Sequence, residues 1–208
     1  MIEAPALPKP ASEIMPLVVK FRPLYPMTPD DFQEFCALNP DLVVELTAEG
    51  EIVFMSPSGG TTGARNAKVI IALGQWANED GRGVVFDSST GFVLANKAVR
   101  APDAAWVRRS SLAKLTPPQK ERFLPVTPDL VVEIASPSDR ESELQPKMEE
   151  YIANGVQLGW LILPETRSVI VYRPGKKGEL LSDIDSISSD PVLPGFTLDL
   201  RPIWMPDF

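Results

Sequence analysis

Three carboxylates in this chain stand where carboxylates are costly. Glu45, Asp103 and Glu133 each lie within, or at the mouth of, an apolar run. Glu133 is the sharpest case: it interrupts Leu130-Val131-Val132-Glu133-Ile134-Ala135, a β-branched run bounded by turn residues. That pattern predicts a central strand covered on both faces. A carboxylate there loses its hydration and needs a cationic partner: a metal ion, a Lys or an Arg. Acids from neighbouring strands can converge on one divalent cation, and Mg²⁺ takes one or two carboxylates plus waters. A metal so held polarises a phosphoryl oxygen. Lys147, on the helix expected after the Glu133 strand, is placed to orient a water or to stabilise developing negative charge. The set suits phosphodiester hydrolysis, and Gln145 on the same helix is a lesser candidate. Plainer readings stand beside it. Asp103 follows Pro102 and fits a turn, Glu133 an internal ion pair, Glu45 a solvent-facing strand position, and Lys147 a pairing with Glu150 or Tyr151 on its own helix.

Composition removes other chemistries. The 208 residues include no His, which excludes Ser-His-Asp and Cys-His catalysis and every His-ligated metal. Cys36 stands alone, so neither an internal disulfide nor a Cys-based zinc site can form. The net charge of −8 argues against general nucleic-acid binding. Residues 97–122 run the other way, with seven basic residues against two acids. Arg100, Arg108 and Arg109 in that stretch are candidate phosphate contacts, with an ordinary solvated surface as the plainer reading. Asp87, before Ser88-Ser89, is either a turn residue or part of a site. No apolar run reaches membrane-spanning length and the N-terminus lacks a signal-peptide pattern, so a cytoplasmic setting without membrane association is expected.

The elements that must position these residues are legible in outline. Residues 1–27 carry six prolines and predict an extended arm. Thr28-Pro29-Asp30-Asp31 starts a helix to about residue 38. Strands are expected at 42–47 and 51–55, the first holding Glu45, then a long buried helix over 62–78. Strands follow at 83–87, 91–95 and 104–107, short helices within 110–123, and the strand 130–135. Ser138 is read as capping a helix over 141–153 that contains Pro146, with strands at 156–163 and 169–172 after it. The fold class is α/β: one domain over 28–208 with a central mixed β-sheet flanked by helices. Apolar residues near both Pro-rich ends suggest a homodimer.

Arg100-Ala101-Pro102-Asp103, the run Pro128-Asp129-Leu130-Val131-Val132-Glu133 with Ser136-Pro137-Ser138, and Lys147…Tyr151…Gly155-Val156…Trp160 together resemble the Uma-two family. The likeness extends from about Asp41 to Leu193-Pro194-Gly195-Phe196…Leu198-Asp199-Leu200. These are bacterial restriction-endonuclease-like proteins, and the resemblance implies a PD-(D/E)XK nuclease fold. It further implies a Mg²⁺- or Mn²⁺-dependent endonuclease acting on nucleic acid, DNA foremost. Asp103 becomes the motif aspartate and Glu133 the acid of the next strand, both holding the metal with Glu45 assisting. Two departures matter. The superfamily lysine belongs two residues after the acid, where this chain has Ala135, which makes Lys147 the relocated lysine. Many relatives carry a His near the start of the long helix, where this chain has Asn66. The acidic pI, the missing histidines and the displaced lysine keep an alternative open: a non-catalytic binding or assembly module on the same fold.

Overall fold

The computed structural model describes residues 18–19, 27–137 and 139–207. Nearly all of the expected N-terminal arm, and the Ser138 cap, lie outside the described residues. In chain order the first half forms β1 (Val18–Val19), α1 (Pro29–Leu38), β2 (Val44–Leu46), β3 (Ile52–Phe54), α2 (Gly60–Asp80), β4 (Gly83–Asp87), β5 (Phe92–Val93), β6 (Val99–Arg100) and β7 (Ala104–Arg108). The second half forms α3 (Arg109–Leu112), α4 (Pro117–Lys120), β8 (Leu130–Ile134), α5 (Glu141–Ala153), β9 (Leu158–Leu163), β10 (Ser168–Tyr172), β11 (Glu179–Ser182), β12 (Ser186–Ser188), β13 (Thr197–Asp199) and α6 (Arg201–Trp204).

Six strands make the central mixed sheet in the order β11-β10-β9-β8-β7-β4. Only β8 and β9 run parallel within it, because α5 carries the chain back between them; the other neighbours are antiparallel. A second, antiparallel sheet follows the order β1-β3-β2-β6-β5. It supplies Glu45 from β2 and Arg100 from β6.

Each layer follows from local pattern. α1 opens on a capping box between Thr28 and Asp31, with Pro29 in its first turn. α2 buries Val69, Leu73 and Ala77 at four-residue spacing and stops at Gly81, whose φ of +72° suits a residue without Cβ. β8 is buried along its whole length. Strand alternation sends Leu130, Val132 and Ile134 into the core under α2, and turns Val131 and Glu133 toward α5. On that second face Met148 and Tyr151 of α5 are fully buried. Pro146 is accommodated inside α5, which runs unbroken through it.

Beyond residue 172, where the sequence pattern predicts no further element, the chain forms β11, β12, β13 and α6. Leu198, Leu200, Ile203 and Trp204 are buried there against the α2 side of the core, and the Trp204 Nε1 donates to the Ile184 carbonyl at 2.9 Å. The apolar C-terminal residues that suggested a homodimer are therefore covered by this chain's own core. No described helix is long and apolar enough to cross a membrane.

Candidate active site

β7 and β8 bring Asp103 and Glu133 together by register. Ala104 pairs with Val132, so continuing that register one residue beyond β7 sets Asp103 opposite Glu133. Directly opposed residues of an antiparallel pair lie about 5 Å apart at Cα, and like charges so placed repel. The Asp103 Oδ2 accepts from the Ile134 N–H at 2.7 Å, across the strand pair. Its Oδ1 accepts from Asn66 Nδ2 at 2.9 Å, which ties α2 to the same point. With its nitrogen turned to a carboxylate, Asn66 is left with a buried Oδ1 that has no partner among the described residues.

Glu133, only 6% exposed, meets α5. Its Oε1 takes the Lys147 ammonium at 2.9 Å and the Tyr151 hydroxyl at 3.0 Å. Lys147 and Tyr151 are four residues apart and share one helix face. Glu133 Oε2 takes no hydrogen bond among the described residues. Lys147 also reaches Glu45 Oε1 at 3.0 Å, so one ammonium bridges acids from both sheets. The register of β2 on β6 sets Glu45 opposite Arg100. There Glu45 Oε2 meets Arg100 Nη1 at 3.1 Å, and Oε1 also accepts the Ala101 N–H at 2.9 Å. Arg100 Nε closes the chain on Glu150 Oε2 at 2.6 Å.

The electrostatics follow from these contacts. Four acids (Glu45, Asp103, Glu133 and Glu150) face two bases, Arg100 and Lys147. Burial pushes the Glu133 carboxyl up to about 7; Lys147 opposes the rise, and the Asp103 and Glu45 charges add to it. Burial likewise raises Asp103, helped by Asp139 and opposed by the Ile134 N–H, Lys147 and Asn66. Burial would raise Glu45 too, but Lys147 and Arg100 together hold it below the ordinary carboxylate range. Lys147 is buried, yet Glu133 and Glu45 push its pKa above that of a free lysine, so it stays an ammonium at any working pH.

The sequence-derived candidates thus separate. Asp103, Glu133, Lys147, Glu45 and Asn66 meet in one place. Arg100 joins them from the inside: its side chain is 12% exposed and paired with two glutamates, which removes it as a surface phosphate contact. Arg108 pairs with Asp129 at the far end of β7, and the Arg109 Nε donates to the Gly81 carbonyl there. Asp87 receives the Ser89 N–H and hydroxyl at 3.1 and 2.6 Å, as a turn residue does. Gln145 donates to Glu141 on its own helix at 2.6 Å. Tyr151 and Glu150 were not among the candidates. Their places four and three residues after Lys147, on one helix face, were the available signal.

A divalent cation fits this donor set. Asp103 and Glu133 carry surplus negative charge, Glu133 keeps one oxygen uncommitted, and the orphaned Asn66 Oδ1 is an acceptor beside Asp103 that wants a water. Among the described residues no three Asp, Glu or Cys side chains are arranged to hold one ion. Two carboxylates completed by waters is ordinary coordination for Mg²⁺. Glu45 was expected to share the metal, but two cations, Lys147 and Arg100, already neutralise it, whereas Asp103 accepts only from the neutral N–H groups of Asn66 and Ile134.

A profile of the Uma2 family, described as "Putative restriction endonuclease", matches residues 29–201. The crystal structure of a "putative nuclease belonging to DUF820" from Anabaena variabilis superposes with a TM-score of 0.72 at 20% identity, covering 86% of this chain and 98% of that one. At that identity the likeness is one of fold. No curated protein matches the chain.

Proposed function

The chain belongs to the Uma2 family, and from that premise we propose that it hydrolyses phosphodiester bonds in nucleic acid with a divalent metal, Mg²⁺ or Mn²⁺, held by Asp103 and Glu133. The observation that carries this reading is the register that sets half-buried Asp103 opposite buried Glu133, whose carboxylate meets the Lys147 ammonium. When bound, the metal supplies Lewis-acid polarisation of a phosphoryl oxygen and charge neutralisation between the two acids. The chain's own residues do the rest. Lys147, kept protonated, does not serve as a base; it donates hydrogen bonds and positive charge to the phosphate as negative charge develops there. Glu45 and Arg100 hold Lys147 in place from the second sheet. Tyr151 fixes the Glu133 Oε1 and leaves Oε2 turned free. Asn66 keeps Asp103 oriented and offers its Oδ1 to a water.

The test is direct. Purified protein with Mn²⁺ should cleave a nucleic-acid substrate, and Asp103→Ala or Glu133→Ala should reduce the rate by at least about 10³. Cleavage that survives both changes would refute the assignment. A second reading, a fold that binds or assembles without cleaving, is favoured by one observation: the Lys147 ammonium bridges Glu45 and Glu133 and so supplies the counter-charge that a metal would otherwise give. Calorimetric titration with Mn²⁺ separates the two, since the second reading expects no heat.

A further inference from the structure

The seven cations of residues 97–122 divide into two groups. Arg100, Arg108 and Arg122 are used internally, on Glu45 and Glu150, on Asp129 and on Asp30. Lys97, Arg109, Lys114 and Lys120 have no carboxylate partner among the described residues. Two of these four line one groove. Its volume is about 430 Å³. Its lining is mostly apolar, from Val84 and Phe86 of β4 with Leu112 and Leu124, and includes the cations Arg109 and Lys120. Both cations are exposed, and Arg109 spends only its Nε, on the Gly81 carbonyl.

The groove begins beside the candidate active site and runs away from it to Arg109 at the far end of β7, about 20 Å from Asp103 at 3.3 Å per residue. β4 is the edge strand next to β7, with Phe86 paired to Ala105 and Val84 to Val107. Phe86 and Ala105 pack into the core on the α5 side, the face that carries Glu133. At about 3.3 Å per residue and 4.8 Å between strands, the β4 lining runs from roughly 8 to roughly 14 Å from Asp103, backbone to backbone. That is about two to four nucleotides at the 3.4 Å spacing of a stacked strand.

We propose that this groove binds an unpaired stretch of the nucleic-acid substrate flanking the bond to be cut, base faces on the apolar lining and phosphates on Arg109 and Lys120. The inference rests on nucleic acid being this chain's substrate. Free cations beside an apolar hollow, in a chain of net charge −8, are charge-complementary to a ligand that is apolar in its middle and anionic at its edge. An unstacked nucleotide has that form, and the sequence-tolerant affinity of single-strand binders comes from this combination. A duplex offers only its phosphates to such a hollow, because its bases face inward.

The experiment measures binding of fluorescein-labelled oligothymidylate and oligouridylate of about twelve nucleotides, by anisotropy, in EDTA so that no cleavage intervenes. Arg109→Gln with Lys120→Gln should weaken binding at least about tenfold and flatten the log–log salt dependence by about 1.4, two phosphate contacts for a single strand. Lys97→Gln with Lys114→Gln should stay within about twofold of the unaltered protein. An abasic oligomer of the same length should bind more weakly than either strand. Loss of affinity that is equal for the two double variants, or absent in the first, would overturn the proposal. So would an abasic strand or a duplex that binds as well as the single strands. Since no metal is present, a protein that fails to cleave yet binds through Arg109 and Lys120 would refute the proposed reaction alone. A protein that cleaves while its binding ignores both residues would refute the groove alone.

Discussion

Glu133 holds an ionisable group where its strand neighbours hold methyl groups, and Lys147 is what makes that tolerable. The ammonium is 2.9 Å from Glu133 and 3.0 Å from Glu45, with only 13% of its side chain exposed. Removing one member of a buried pair leaves an uncompensated charge, a loss of about 3–5 kcal/mol where single pairs have been broken. Lys147→Met keeps most of the side-chain volume and removes the charge, so its cost falls on Glu45 and Glu133. Equilibrium denaturation should show that loss, and adding Glu133→Gln should restore part of it, because one of the two stranded carboxylates is then neutral. A Lys147→Met protein as stable as the unaltered one would mean that the contact is not maintained in solution. Arg100 belongs to the same accounting. Its pairing with Glu45 and Glu150 makes it part of the scaffold for Lys147 rather than a hand extended to phosphate.

α5 has to lie close on the sheet for Lys147 to arrive between two acids, and Gly159 of β9 allows it. A Cβ at residue 159 would come within 2.6 Å of Met148 Cε and 3.5 Å of Tyr172 Cβ. Met148 is the neighbour of Lys147 in sequence and is fully buried. Ala at 159 needs only the flexible end of Met148 to move, whereas Val adds bulk the interface lacks. Gly159→Val should therefore destabilise by about 1–3 kcal/mol and weaken Mn²⁺ binding as α5 lifts, while Gly159→Ala should do much less. Equal metal affinity in the two variants would separate α5 seating from the site. Much of this architecture is readable in advance. The β8 run, the long α2 helix and α5 announce themselves through period and composition, Asp103 and Glu133 through misplaced charge, and Lys147 mainly through the family resemblance. The rest is not, because it is set across space. The short β6, β12 and β13 strands have too few residues to show a period. Arg100 reads as a surface cation until the β2–β6 register sets it opposite Glu45. Nothing local says that Lys147 pairs across two sheets rather than along its own helix, since both arrangements satisfy the same spacing.

For the molecule as a whole, the acids of the site make stability depend on pH, and under the proposed function on divalent metal as well. Glu133 has its pKa raised to about 7 in the folded chain, from 4.5. The folded state therefore holds a proton that the unfolded state has released between those two values. Stability contributed by that proton is present below about pH 4.5 and is lost as pH rises through about 7. The upper limit of this loss is about 3 kcal/mol, from the size of the shift, and Asp103, raised by the same burial, acts in the same direction. Glu45 acts oppositely, but its lowered pKa confines its effect to more acidic conditions, outside this window. Rising pH also adds negative charge to a chain already at −8, which lowers stability without involving the site. Glu133→Gln separates the two causes. Between pH 5 and 8 the melting temperature of the metal-free protein should fall by several degrees, at about 2–4 °C per kcal/mol for a chain of this size, and the Glu133→Gln protein should fall clearly less. If Glu133 holds the metal as proposed, Mn²⁺ takes the proton's place as counter-charge, so it should raise the melting temperature more at pH 8 than at pH 5, and hardly at all in Glu133→Gln. Parallel slopes for the two proteins, or a Mn²⁺ effect independent of pH, would show that Glu133 neither holds the proton nor binds the metal.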